Sequence, residues 1–237
     1  MSELQDRMRE LVTANRILAH EGVVDAFGHV SIRHPEQPDR FILSYSKSPE
    51  LVELDDLAVY DLSGRLVTPS ERKPYAERFI HAGVYQARPD VQAVIHNHSH
   101  DVIPFAVTKE ALRPICHTGA VMGENVSTWD IRDKFGDTNM LVVNIEQARD
   151  LAALLDQDTA ILMRGHGCVV VGTSLQRAVT SAIYMMVNAR LQLAASQIGE
   201  PIFLSPEESR MAGEMNLSQF AVDRLWQYWS RRATGNE

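Results

Sequence analysis

Cysteine is scarce in this sequence: there are 2 among 237 residues, Cys116 and Cys168, and they form no CxxC pair. That excludes a disulfide framework and predicts reduced thiols in a cytoplasmic protein. Long apolar runs are missing too. No stretch approaches the roughly 20 residues that a membrane span needs. The opening Met-Ser-Glu-Leu-Gln-Asp-Arg is acidic and amphipathic, which does not fit a secretory leader. There is no dense run of Lys or Arg, and the net charge is -8 with a pI near 5.6. Nucleic acid and anionic membranes are therefore excluded as main partners. Internal repeats, low-complexity tracts and linkers long enough to divide domains are also absent. What remains is 45% hydrophobic and 23% charged, an ordinary globular composition. It predicts one domain over 1–237, with a core at about 8–196 and a C-terminal helical tail at about 206–232.

Periodicity fills in the elements. Ser2, with Gln5 as a capping-box partner, starts a helix whose Leu4, Met8, Leu11, Val12 and Leu18 share a face, and Gly22 stops it. Short alternating segments at 30–33, 41–44 and 57–60 predict strands. Pro74 predicts the start of a second helix, ended by Pro89. A strand over 91–95, an irregular stretch over 113–130, a strand over 140–143 and a helix over 146–155 follow. Strands at 159–163 and 168–171 flank Arg164-Gly-His-Gly167. Thr173 with Gln176 predicts the cap of the longest helix, to about Ile198. The tail carries Trp226, Tyr228 and Trp229, which suit an interface, a lid or the core. Helices alternating with short strands predict an α/β protein, a single-domain α/β/α sandwich around a central, mostly antiparallel sheet.

The chemistry centres on His96-Asn97-His98. A strand repeats every two residues, so both imidazoles point to one side of a strand end, as two ligands of one metal ion would. His166 lies between two glycines that let other groups approach closely, and it is the candidate third imidazole. Three neutral imidazoles with an open position describe a catalytic metal site. Glu77 is the candidate acid or base, although the helix dipole also favours a carboxylate at that place. His81, four residues on, fits a core or supporting role. His100 continues the two-residue repeat and belongs to the pocket wall or the shell behind the ligands.

The sequences Lys73-Pro-Tyr-Ala-Glu77, Arg88-Pro-Asp-Val-Gln-Ala-Val-Ile-His-Asn-His98 and Arg164-Gly-His-Gly167 resemble, in order and spacing, motifs of the class II aldolase/adducin family. The resemblance runs from about residue 8 to about 196. It implies His96, His98 and His166 as metal ligands and Glu77 as the acid/base. It also implies a homotetramer with sites at subunit interfaces.

The departures from that pattern are informative. Sugar-phosphate aldolases of the family carry small hydroxyl residues before the acid to hold phosphate, and here those positions are Tyr75 and Ala76. Gly28-His29-Val30-Ser31 replaces Gly-Asn-x-Ser. Tyr45-Ser46-Lys47 replaces Pro-Ser/Thr-Gly. A tyrosine that aldolases contribute from a neighbouring subunit aligns with His117, a second candidate proton donor. Phe27-Gly-His-Val-Ser31, Leu43-Ser-x-Ser46 and Glu77-Arg-Phe-Ile-His81 resemble the family's decarboxylase branch. That branch acts on aromatic or dienoic acids with a hydroxyl ortho to the carboxylate. The resemblance implies a small aromatic dicarboxylate substrate, 3-hydroxy-2-methylpyridine-4,5-dicarboxylate of vitamin B6 breakdown or a dihydroxyphthalate. It places His29, Ser31, Ser44, Ser46 and Arg78 at the substrate, with Arg164 and Lys47 as weaker candidates. It also implies Mn2+, while the donor set accepts Zn2+ or Co2+. The competing readings are an aldolase acting on an unphosphorylated hydroxy-oxo acid and a non-catalytic adducin-like binding protein.

Overall fold

The computed structural model describes residues 2–124 and 126–235. Its strands are β1 (His29–Arg33), β2 (Arg40–Ser44), β3 (Leu57–Asp61), β4 (Ala93–Asn97), β5 (Ser127–Trp129), β6 (Ala160–Met163) and β7 (Gly167–Gly172). They form one sheet in the order β3-β2-β1-β4-β7-β6-β5. Every neighbouring pair is antiparallel except β5 with β6. The helices are α1 (Glu3–His20), α2 (Arg78–Ala87), α3 (Ile103–Ala106), α4 (Arg132–Phe135), α5 (Ile145–Leu155), α6 (Leu175–Ile198), α7 (Pro206–Asn216) and α8 (Gln219–Ala233).

Strand alternation divides the core in two. Ala93 and Ile95 of β4, with Val30 and Ile32 of β1, pack under α1, α6 and Trp229 of α8. Val94 of β4 points the other way, with Ile80 and Val84 of α2 and Leu151 of α5. β4 is buried at every position because strands pair on both its edges and helices cover both its faces. This is the expected α/β/α layering around a largely antiparallel sheet. Among the described residues, no helix is long and apolar enough to cross a membrane.

Several boundaries differ from the sequence reading. α2 begins at Arg78, not at Pro74. Pro74 instead forms a bridge with Tyr45, and the Ser46 N–H donates to the Lys73 carbonyl. Residues 73–75 thus extend alongside 45–47, and Glu77 stands at the N-cap position without a side-chain capping bond. Residues 140–143 are not a strand. Met140 has a φ of 66° and the backbone here bonds to side chains, so no partner strand is used. The stretch over 113–130 is more ordered than expected. It contains a 3-10 turn over His117–Met122 and the parallel strand β5. Buried Asn188 and Gln192 of α6 bind the backbone at its start, at Arg113 and Ile115, and at Ala111 just before it. The N-cap of α6 is Ser174, whose hydroxyl accepts from the Arg177 N–H. In the tail, Trp229 is core, Trp226 is partly buried against it and Tyr228 is exposed.

α2 and α5 cross closely at Gly83. A Cβ there would lie 2.7 Å from the Ala148 methyl. Gly83→Ala is expected to force the helices apart and to destabilise the fold by about 1–3 kcal/mol, read as a lower urea midpoint at unchanged m-value. An unchanged midpoint would contradict the close packing.

Candidate metal centre and pocket

The centre sits where β4 leaves the sheet and the β6–β7 turn comes beside it. His96 opposes His29 on β1 and Val169 on β7. His98 follows one residue beyond the strand end. His166 lies in the turn between β6 and β7, closed by its N–H donating to the Met163 carbonyl at 3.0 Å. Gly165 takes a φ of +65°, in the left-handed region that favours glycine. Gly167 has no room for a side chain, since a Cβ would strike the Asn97 carbonyl oxygen and lie 2.9 Å from the His98 ring. The two glycines therefore allow His166 to approach the other two imidazoles.

His96 Nε2 lies 3.0 Å from His98 Nε2, and His166 Nε2 lies 3.1 Å from the same atom. His96 Nδ1 is 3.1 Å from the Cys168 carbonyl and His166 Nδ1 is 3.0 Å from the Met140 carbonyl. A carbonyl only accepts, so both Nδ1 atoms carry the hydrogen and both Nε2 lone pairs are free for a ligand role. Glu77 Oε1 accepts the Val142 N–H at 3.0 Å. Its Oε2 lies 3.6 Å from His96 Nε2 and 3.4 Å from His166 Nε2. The four potential ligand atoms lie within 4.8 Å of one another.

Burial pushes Glu77 up, but the facing imidazoles of His166 and His96 outweigh it and hold the carboxyl well below the usual range. His166 is lowered by burial and raised more by Glu77, with a net rise. His98 is pushed down to about 4 by burial and by the facing His96 and His166. A shared proton satisfies only one pair of these groups at a time. A divalent cation satisfies all of them, and three imidazoles with a carboxylate suit Mn2+, Zn2+ or Co2+. The residues present fit such an ion.

A cavity of about 660 Å³ opens onto this cluster, with Phe27, His29, Ser46, Lys47, Tyr75 and Leu141 in its wall. Of the residues placed at the substrate by sequence, His29 and Ser46 line it. Ser31 does not, because it is fully buried behind His29 with its hydroxyl bonded to His81 and Tyr85. Ser44 is also buried, with its hydroxyl toward that of Tyr75. Arg78 is turned away, donating to the Gly64 and Tyr75 carbonyls and lying over the Phe79 ring. Arg164 pairs with Asp130. His117 is exposed, bound through its ring and carbonyl by Asn216, and borders a different cavity with Leu204 and Met211. His100 is exposed and outside the cluster.

Sequence reasoning noted Phe27 and Tyr75 only as departures or motif members and did not foresee what they, or the 140–142 backbone, contribute to the wall. Phe27 is 68% exposed although aromatic, and its ring centroid is 6.4 Å from that of His98. Tyr75 packs its ring against His29 at 4.6 Å and bonds through its hydroxyl to the Lys47 carbonyl. The 140–142 backbone serves both His166 and Glu77, which an apolar sequence does not reveal. Lys47, a weak candidate, does line the cavity, and its ammonium is tied to buried Asp56 at 2.6 Å.

The chain is similar to several known proteins. The model of the Class II Aldolase and Adducin N-terminal domain matches residues 9–193. Decarboxylase tropJ of Talaromyces stipitatus is 33% identical, over 94% of this chain and 92% of its own. The 3,4-dihydroxyphthalate decarboxylase of Arthrobacter keyseri is 27% identical, over 92% of this chain and 90% of its own. An aldolase II superfamily protein from Pseudomonas syringae superposes with a TM-score of 0.81, covering 98% of this chain and 94% of that one at 22% identity.

Two outcomes are expected. Purified protein holds about one divalent ion per chain by mass spectrometry of the elements, and His96→Ala and His166→Ala each lose it. Added Mn2+ or Zn2+ raises the melting temperature of the wild type after chelation, since an ion that binds only the folded state stabilises it by about 2.7 kcal/mol at a hundred times its Kd. Full metal retention in His166→Ala would remove it from the ligand set. The second outcome concerns Asp56. Burial raises its pKa, but hydrogen bonds from Lys47 and Arg72 prevail and lower it from 3.8 to about 2. A depressed carboxylate contributes stability above its ordinary pKa and loses it as pH falls toward the folded value. Asp56→Asn is therefore expected to cost up to about 2 kcal/mol at pH 7 by urea melts, with the difference from wild type fading between pH 4 and pH 2.

Proposed function

The chain belongs to the class II aldolase and adducin family, and on that premise we propose that it is a divalent-metal-dependent carboxy-lyase acting on a small aromatic dicarboxylate. The carboxylate removed is ortho to a ring hydroxyl. The substrates proposed are 3-hydroxy-2-methylpyridine-4,5-dicarboxylate and, with the same functional groups on a benzene ring, a 3,4-dihydroxyphthalate. The observation that carries this reading is the pocket wall. Phe27, His29 and Tyr75 offer flat ring surfaces beside the imidazole cluster. Tyr75 and Ala76 stand where hydroxyls would be needed to hold a phosphate. Relatives named as decarboxylases, one of them for 3,4-dihydroxyphthalate, support it further.

Mn2+ is the proposed ion, held by His96, His98 and His166. When bound, it polarises substrate oxygens and stabilises the negative charge that develops as CO2 leaves, a contribution of several kcal/mol. The remaining steps fall to side chains. The bond between ring carbon and carboxylate breaks, CO2 departs and the electron pair stays on the ring carbon. Glu77, a carboxylate in the free cluster, takes up the proton of the substrate's ring hydroxyl as the substrate binds and delivers it to that carbon, returning to carboxylate. Glu77 is aimed for this, since Val142 holds Oε1 and leaves Oε2 toward the cluster. An anionic substrate carboxylate beside it opposes its ionisation and favours the acid form. Ser46 and Lys47 line the same cavity and are proposed to face the retained carboxylate. His117 is proposed to enter a neighbouring subunit's site in a homotetramer. Its place at a different cavity, beside the exposed Met211 and Met215, supports this.

Full-length protein with Mn2+ is expected to release CO2 from a panel of ortho-hydroxy aromatic dicarboxylates. Glu77→Gln is expected to keep the fold and lower kcat by about 10²–10⁴-fold. Pyruvate or aldehyde from hydroxy-oxo acids, with no CO2 from the panel, would favour the aldolase reading instead. Absence of bound metal would favour a non-catalytic binding protein.

A further inference from the structure

Behind the pocket, β1 and α2 enclose a file of polar groups that the reaction above does not use. His29 and Ser31 point from β1 toward α2, opposite in sense to Val30 and Ile32. His81 and Tyr85, one turn apart on α2, meet them. His29 Nδ1 is 2.6 Å from His81 Nε2, His81 Nδ1 is 2.6 Å from Ser31 Oγ, and Ser31 Oγ is 2.8 Å from the Tyr85 hydroxyl. All four side chains are buried. The file has one end at the pocket, where His29 lines the cavity, and one blind end at Tyr85.

Such a file has a sense, because each link carries one hydrogen. Among the described residues, the one acceptor bonded to the Tyr85 O–H is Ser31 Oγ. The neighbouring Val94 backbone N–H can only donate. A buried hydroxyl hydrogen without an acceptor is costly, so Tyr85 donates to Ser31. Ser31 then has its hydrogen free for His81 Nδ1. His81 Nδ1 is consequently bare and Nε2 carries the hydrogen, which goes to His29 Nδ1. The remaining His29 hydrogen is on Nε2, the ring's one uncommitted donor. The reverse sense would point the Tyr85 hydrogen at nothing. Each ring thus has a bare Nδ1 and a single hydrogen on Nε2, so both imidazoles are neutral.

We infer that the Tyr85–Ser31–His81 file is a positioning device that fixes His29 as a neutral Nε2–H donor to an anionic oxygen of the ligand in the pocket. This rests on the reading under Proposed function only in naming that oxygen as a substrate carboxylate. A neutral donor suits the chemistry. CO2 leaves from a carboxylate and not from a carboxylic acid, and a neutral imidazole holds a carboxylate without surrendering a proton to it. In this arrangement His29 contacts the ligand, while His81, Ser31 and Tyr85 act through it.

The direct test is spectroscopic. Full-length protein with 15N-labelled histidine, loaded with diamagnetic Zn2+, is examined by long-range proton–nitrogen correlation, with His29 assigned by its loss in His29→Gln. The expected pattern is bare Nδ1 and protonated Nε2. Benzene-1,2-dicarboxylate, used as the probe, is expected to shift the Nε2–H resonance. An Nδ1–H tautomer, an imidazolium or no response to the probe would overturn the inference. Ser31→Ala removes the donor to His81 and is expected to spread His29 over both tautomers and raise KM about tenfold, with kcat changed less. A Ser31→Ala spectrum identical to wild type would also overturn it. If the tautomer and probe response are as expected while no ring acid releases CO2, the functional reading fails and this inference stands.

Discussion

Three imidazoles and a carboxylate converge within 4.8 Å at the end of β4, and the rest of the structure follows from holding them there. Facing nitrogen lone pairs repel one another, and burial removes the water that would separate them. Such a cluster persists only if its backbone supports are stiff and if a positive charge completes it. The supports are of both kinds available to a protein. Ladder hydrogen bonds fix His96 in the middle of a seven-stranded sheet, and carbonyls from Cys168 and Met140 orient the rings of His96 and His166. Two glycines bring the β6–β7 turn against His98.

The apolar layers explain why this can be tolerated. β4 lies between β1 and β7, under α6 on one face and α2 on the other. Its Val94 and Ile95 anchor opposite cores two residues and one residue before His96. Moving the histidine would mean moving both cores. The polar groups between β1 and α2 are satisfied pairwise, including Arg33, whose guanidinium binds the Tyr85, Arg88 and Val91 carbonyls. Polar residues in this layer are therefore linked and rigid, and an arrangement of that kind maintains ring orientation as well as position.

The layering, most helices and the convergence of His96, His98 and His166 were legible in sequence, because they depend on signals that repeat or stand alone: helical spacing, strand alternation, and imidazoles at a strand end and between glycines. Glu77 was legible as an acid but not as a residue whose carboxylate is held by Val142, because that bond joins positions 65 apart. Ser31 and Arg78 illustrate the opposite limit. Their types suit a carboxylate ligand, yet Ser31 meets His81 and Arg78 meets the Gly64 carbonyl, partners that only the packing of α2 supplies. Residues 140–143 look like a strand because they are apolar. Whether such a run joins a sheet depends on an available edge, and here its amides bond to the Glu77 and Gln147 side chains instead.

That same short segment has a further meaning. The Met140 carbonyl orients His166 and the Val142 amide orients Glu77, from a stretch that turns on one left-handed residue. On the proposed reading, ion affinity and acid strength thus hang from a single piece of irregular backbone. Insertions, deletions or backbone-altering substitutions in it would shift the two properties together, so that within this architecture they form one heritable trait and cannot be tuned one at a time from that loop.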